Sequence, residues 1–196
     1  MGYTHYWRRE LEIDSQTYKK IVYDFKTLLP AFKVLDIPLA DGLGENEPII
    51  NHDEVYFNGS VNCGHKELKN LVIPWPSQMV KSGTSNDHES VDGSWFAGVT
   101  LNQRTCPGDC SYETFSFPRT MEKPKWGEPE NGKWFNFCKT AFRPYDLAVN
   151  VFLIIAKHHL GDKIEVSSDG QIQHWLDAMI ICENAFGYGR DTGIEF

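Results

Sequence analysis

Two cations and a hydroxyl gather where a strand is expected to hand over to an apolar helix. In FNFCKTAFRPYDLAVNVFLIIAKHHLG, residues 135–161, Lys139, Thr140 and Arg143 stand just ahead of a run fit for a protein core. A helix starting at Pro144 would leave its first N–H groups unpaired and carry about half a positive charge at that end. Lys139, Thr140 and Arg143 beside those amides would compose an anion site, with Arg143 suited to a planar phosphate or carboxylate and Tyr145 placed to stack on a base. A second reading needs no ligand. Asp146 lies in the first turn and can occupy the same field, and Arg143 can pair with Asp146, Glu113 or another nearby carboxylate to lock the joint.

A similar junction recurs in VSSDGQIQHW, where Ser167, Ser168 and Asp169 precede another helical pattern. Ordinary N-capping accounts for at least one of the three. Two polar junctions flanking the most apolar helix also fit one shared pocket at the end of a sheet, in which Asp169 would take a ribose hydroxyl or a base amine. The first strand, MGYTHYW, adds Thr4 and His5 on opposite faces, because side chains alternate. His5 shares its face with Tyr3 and Trp7, so it is either a packed, hydrogen-bonded ring or, if it reaches the pocket, the best general acid/base in the chain. Asn58 and Glu113 sit near strand ends. Glu113 would serve as a carboxylate base or as the partner of Arg143.

Cys63 and His65 in NCGHKE, with Cys106 and Cys110 in TCPGDC, supply four soft ligands, the number a structural zinc takes. They bracket a loop-rich stretch that a metal could staple at its base. Against this, Cys-x-His sends its two side chains to opposite sides of an extended strand, and free or oxidisable thiols are an equally economical reading. Cys138 and Cys182 read as core residues. The sequence contains no nucleophile elbow, phosphate-binding loop or dinucleotide fingerprint.

The elements that must position these groups follow from periodicity. Tyr18, Ile21, Val22, Phe25, Leu28 and Leu29 form one helical stripe, capped by Asp14 or Ser15 and expected to end at Pro30. KVLDIPL, EVYFNG, YETFSFPRT, KWFNFCKTA and DKIEVSSDG read as strands. Residues 144–159 read as the central buried helix, and a last helix, capped by Asp169, carries Ile172, Trp175, Leu176, Met179 and Ile180. Residues 60–108 lose periodicity and scatter Trp75, Trp95 and Phe96 among Pro, Gly, Ser and Asn, as a long insertion would. Helices and strands mix without strict alternation. The expectation is therefore one α+β domain over residues 1–196, an antiparallel or mixed sheet with about three helices on one face.

The 196 residues are 41% hydrophobic and carry a formal charge of −8, which disfavours a phosphate-backbone binder and so a nucleic-acid partner. The apolar run LAVNVFLIIA is half the length of a membrane span, so no membrane partner is expected. An odd cysteine count fits a reducing cytoplasm.

With MGYTHYW at the start, FCKTAFRPYD in the middle and VSSDG near the end, the chain resembles an uncharacterised family of bacteriophage and bacterial proteins. That family brings no established activity. The resemblance implies a cytoplasmic setting, in the host if phage-encoded, and by analogy a counter-defence role. The expected function is sequestration of a small anionic, nucleotide-derived signal with no cofactor, a structural zinc at the Cys/His set staying open. The alternatives are a phosphodiester or glycosidic hydrolase using His5 and Glu113, or a protein-binding inhibitor that presents the Trp-rich insertion. A homo-oligomer stays open.

Overall fold

A computed structural model describes residues 3–66, 69–71, 104–124 and 127–196. Trp75, Trp95 and Phe96, and with them most of the expected insertion, lie outside that set.

Strand β1 (Thr4–Arg9) is the middle of a three-stranded antiparallel sheet, between β8 (Trp134–Lys139) and β9 (Ile164–Ser168). Its alternation divides the sheet's two faces. His5 and Trp7 are buried with Cys138 and Val166, whereas Tyr6 and Arg8 point the other way beside Phe137 and Phe135. Helix α2 (Asp146–Leu160) packs against β9, against α1 (Ser15–Val34) and against α3 (Leu176–Phe186). It is apolar on nearly all sides because it has neighbours on nearly all sides.

A second antiparallel sheet orders β2 (Leu39–Ala40), β4 (Glu54–Gly59) and β3 (Ile49–Ile50), with β7 (Phe115–Pro118) also paired to β4. Its rings close the core against the helices. Phe57 lies 5.5 Å from Phe25 and 5.0 Å from Phe115, which lies 5.1 Å from Phe152. A short third pairing joins β5 (Lys69–Leu71) to β6 (Arg104–Cys106). The fold is α+β, with three α-helices among the described residues and antiparallel strand ladders. None of the described helices is long and apolar enough to cross a membrane.

Four element boundaries differ from the sequence expectation. Helix α1 runs through Pro30 to Val34, because Leu28 and Phe32 on either side are both buried and hold the turn in place. KVLDIPL is therefore not a strand: its first two residues finish α1, and only Leu39 enters β2. Helix α2 begins at Asp146 rather than Pro144, since a turn across 140–145 precedes it. Asp169 caps no helix; a 3-10 turn at Ile172–His174, closed by Gln171 and His174, intervenes before α3.

Candidate functional site

The strongest constellation lies at the base of the loop-rich segment. The Sγ atoms of Cys63, Cys106 and Cys110 and a ring nitrogen of His65 all fall within 4.8 Å of one another. Cys63 and Cys106 sulfurs are 3.5 Å apart, Cys106 and Cys110 3.3 Å, and His65 Nδ1 is 3.1 Å from Cys110 Sγ. A tetrahedral zinc with Zn–S bonds of about 2.3 Å sets its ligand atoms about 3.5–3.8 Å apart, so the four groups already outline that polyhedron. The objection from an extended Cys-x-His is removed by Gly64. Its φ of +75° turns the chain, so both ligands face the same centre. Gly59 is required as well, because a Cβ there would meet the Cys110 carbonyl oxygen at 2.0 Å.

The three thiols are not alike: burial would raise Cys63, but hydrogen bonds from the His65 amide and the neighbouring thiols outweigh it and lower that group. Burial pushes the Cys110 thiol far above its ordinary range, and Cys106 rises too, again chiefly through burial. A dication would lift that penalty by taking the thiolates as ligands. Asp36 Oδ2 lies 3.1 Å from His65 Nε2, the carboxylate–histidine relation that orients metal-bound imidazoles, although the angle there falls short of a hydrogen bond.

The junction ahead of α2 is filled by the protein itself. Asp146, with no solvent exposure, meets His5 Nε2 at 2.6 Å and Arg104 Nε at 2.8 Å, and it also accepts the Thr140 hydroxyl. Arg104, equally buried, donates a second bond to Asp177 Oδ2 at 2.5 Å. Burial would raise the Asp146 carboxyl, but Arg104, His5 and Thr140 outweigh it and hold the group down at about 2. The amides at the front of α2 are taken as well. Asp146, Leu147 and Val149 donate to the carbonyls of Arg143, Pro144 and Tyr145. Asp146 thus occupies the field in which an external anion was expected, and its cation is Arg104 rather than Arg143.

Several expected ligand contacts have structural employment. Thr4 and Tyr145 are buried, and the Tyr145 hydroxyl donates to the Glu113 carbonyl at 2.6 Å, which leaves its ring no open face for a base. Asn58, also buried, clamps the Tyr112 backbone: its Nδ2 donates to the Tyr112 carbonyl and its Oδ1 accepts the Tyr112 N–H, each at 3.0 Å. Glu113 accepts the Lys139 N–H at 2.8 Å. Ser167 pairs within the sheet, and Asp169 accepts from the Tyr6 hydroxyl.

His5 and Glu113 do not bond each other. His5 instead joins Asp146 and Ser168, whose Oγ is 3.0 Å from Nδ1, in the order of a Ser-His-Asp relay with the ring nitrogens exchanged. That His5 ring is fully enclosed, and Ser168 Oγ already accepts the Gly170 N–H at 3.0 Å. The chain of bonds therefore locks strand to helix and presents no free nucleophile.

Lys139 and Arg143 remain partly exposed, and both lie against one ring. The Lys139 Nζ and the Arg143 guanidinium are each 5.7 Å from the centroid of Tyr112, itself an exposed side chain. Arg143 also donates to the Asp109 carbonyl at 3.2 Å, inside the Cys106–Cys110 turn. Among the described residues neither cation forms an ion pair with a carboxylate.

Arg104, Asp177, Asp36 and Tyr112 complete these sites without having been picked out from the sequence. Asp177 left a trace, as a lone carboxylate in the apolar segment WLDAMI; the others carry no local signal. No protein-family model, curated protein or solved structure matches the chain.

Proposed function

We propose that this is a zinc-stapled binding protein that sequesters a small anionic, nucleotide-derived molecule at Lys139, Arg143 and Tyr112. The observation that carries the reading is a pair of cations, free of carboxylate partners among the described residues, beside one exposed aromatic ring in a chain of net charge −8. An unneutralised Arg–Lys pair next to a ring offers phosphate contacts and an apolar neighbour together. Zinc at Cys63, His65, Cys106 and Cys110 would fix the Asp109 carbonyl that orients Arg143. In the phage setting that the sequence resemblance implies, capture of this kind would withdraw a signal from the host.

The geometry favours binding over hydrolysis. The enclosed His5 and the committed Glu113 carboxylate leave the hydrolase reading without a placed acid/base pair. The inhibitor reading rests on Trp residues outside the described set.

Calorimetry with cyclic and ADP-ribose-type nucleotides tests the proposal. Arg143→Ala should weaken binding tenfold or more, since a hydrogen bond to a charged group is worth about 1.5–3 kcal/mol. Ligand released by heat should be chemically intact. No binding by any of these nucleotides, or binding unchanged in Arg143→Ala, would count against the site.

A further inference from the structure

Lys139 belongs to a longer surface than the one it forms with Tyr112. On the outward face of the β8–β1–β9 sheet, Phe137 lies opposite Tyr6, Phe135 lies opposite Arg8, and Lys139 lies opposite Thr4. The rings form a continuous strip. Tyr6 and Phe135 are 5.9 Å apart with planes 25° from parallel, and Phe135 and Phe137 are 6.0 Å apart at 31°. Arg8 lies over Phe135 at 5.2 Å. Phe137 keeps 47% of its surface exposed, an unusual condition for a phenylalanine in the middle of a strand. The opposite face of the same strands, with His5, Trp7 and Cys138, is sealed in the core.

From this juxtaposition we infer that the ligand carries at least two bases, stacked on Phe137 and Phe135, with its phosphate reaching Lys139 and Arg143. The inference rests on the anion site proposed above and extends it along β8. Exposed aromatic rings on an open sheet face are sequence-tolerant platforms for bases, since every base has a π-face. Cations sit at one end of the strip, which sets a direction: phosphate at the Lys139 end, bases toward Phe135. Phe135, Phe137 and Lys139 alternate along one strand and span about 13 Å. A mononucleotide with its phosphate on Lys139 reaches one ring, and filling the second ring needs a second base. Charge narrows the ligand further. Arg8 is paired with Glu130 at 3.1 Å and Lys133 with Glu165 at 2.5 Å, so the far end of the strip offers little free positive charge to a long polyanion. A short nucleotide of two or three bases fits this pattern better than a long single strand does.

The test uses the full, zinc-loaded chain and two probes, adenosine monophosphate and 5′-phosphorylated diadenylate, titrated calorimetrically. The diadenylate should bind at least tenfold tighter, because stacking a second base on an aromatic side chain is worth about that much. Phe137→Ala should remove that advantage, Phe137→Trp should restore it, and Arg143→Ala should weaken both probes. Phe137 is exposed, so Phe137→Ala should keep the wild-type circular dichroism. Equal affinity for the two probes, or a diadenylate advantage untouched by Phe137→Ala and Phe135→Ala, overturns the two-base inference while leaving the anion site standing. Binding of both probes that ignores Arg143→Ala overturns the anion site, and with it the direction assigned to the strip. Failure of both probes to bind overturns both. Dimerisation abolished by Phe137→Ala, with no nucleotide effect, would assign the strip to a second copy of the chain instead.

Discussion

Removing zinc, by chelation or by Cys110→Ser, is expected to lower the melting temperature by roughly 6–20 °C. The four ligands come from distant parts of the chain: the turn after β4 supplies Cys63 and His65, and β6 with its following turn supplies Cys106 and Cys110. Asp36, just past α1, faces the back of His65. The metal would therefore tie the end of α1, the edge of β4 and the strand β6 to one point. Structural zinc in zinc-finger peptides contributes about 10–16 kcal/mol of apparent binding energy; here the main core cluster contains none of the four groups, so only part of such an energy is expected in the global stability. A local loss of about 3–5 kcal/mol corresponds to roughly 6–20 °C in a domain of this size. Without metal, two buried thiols also keep the raised pKa values that burial imposes, so they stay neutral and give no compensating charge interaction. Calorimetric scans with and without chelator measure the effect. An unchanged transition would exclude a stabilising metal.

The second large effect belongs to Asp146. Asp146→Ala leaves Arg104 fully buried with one carboxylate instead of two, and His5 and Thr140 without their shared acceptor. Breaking a buried ion pair by removing one partner costs about 3–5 kcal/mol, since the remaining charge cannot return to water. Replacing the charges together is a different experiment, because a well-packed apolar substitute can match an ion pair; Asp146→Leu combined with Arg104→Met should be milder than the sum of the two single changes. Urea denaturation of Asp146→Ala, of the two single changes and of their combination measures both effects.

The same carboxylate sets an acid limb. Its pKa is about 2 in the fold, below the ordinary value of about 3.9. A depressed folded pKa means that the stabilisation is fully present above about pH 4 and is lost as pH falls through about 2. Roughly 2–3 kcal/mol should disappear over that interval. Chemical denaturation of the wild type and of Asp146→Asn between neutral pH and pH 2 isolates the contribution. If both proteins lose stability in parallel, Asp146 is not the group responsible.

What the sequence discloses divides along the range of the interactions. Helix α1 and the strands β1, β4, β8 and β9 are visible as periodicity, because each must present one face to a core within its own length. Pro30 misleads because tertiary burial of Leu28 and Phe32 overrules a local breaker. The crowd of polar groups at 139–146 is visible, but its partner is not. Arg104 lies 42 residues away from Asp146 and 73 from Asp177, and no local pattern reports such pairings. The Cys/His cluster that could hold a metal shows the opposite case. Its residue types and number are evident in the chain, whereas the geometric objection to it rests on an extended Cys-x-His. One φ angle, at Gly64, converts that pair into a turn. Tyr6, Phe135 and Phe137 are ordinary strand-forming aromatics by composition, and they acquire meaning only once register shows which face they share. Tyr112 lies outside the strands and is singled out only by Lys139 and Arg143 against its ring.

Three sulfurs and one imidazole closing on a metal would hold the turn from which Arg143 is aimed, so the proposed anion site relies on that staple for the placement of Arg143. Native mass spectrometry of the purified full chain is the direct measurement. The predicted species carries one zinc ion, lost in Cys110→Ser and in His65→Ala. A chain at its bare mass, or two hydrogens lighter through a Cys106–Cys110 disulfide, would contradict it.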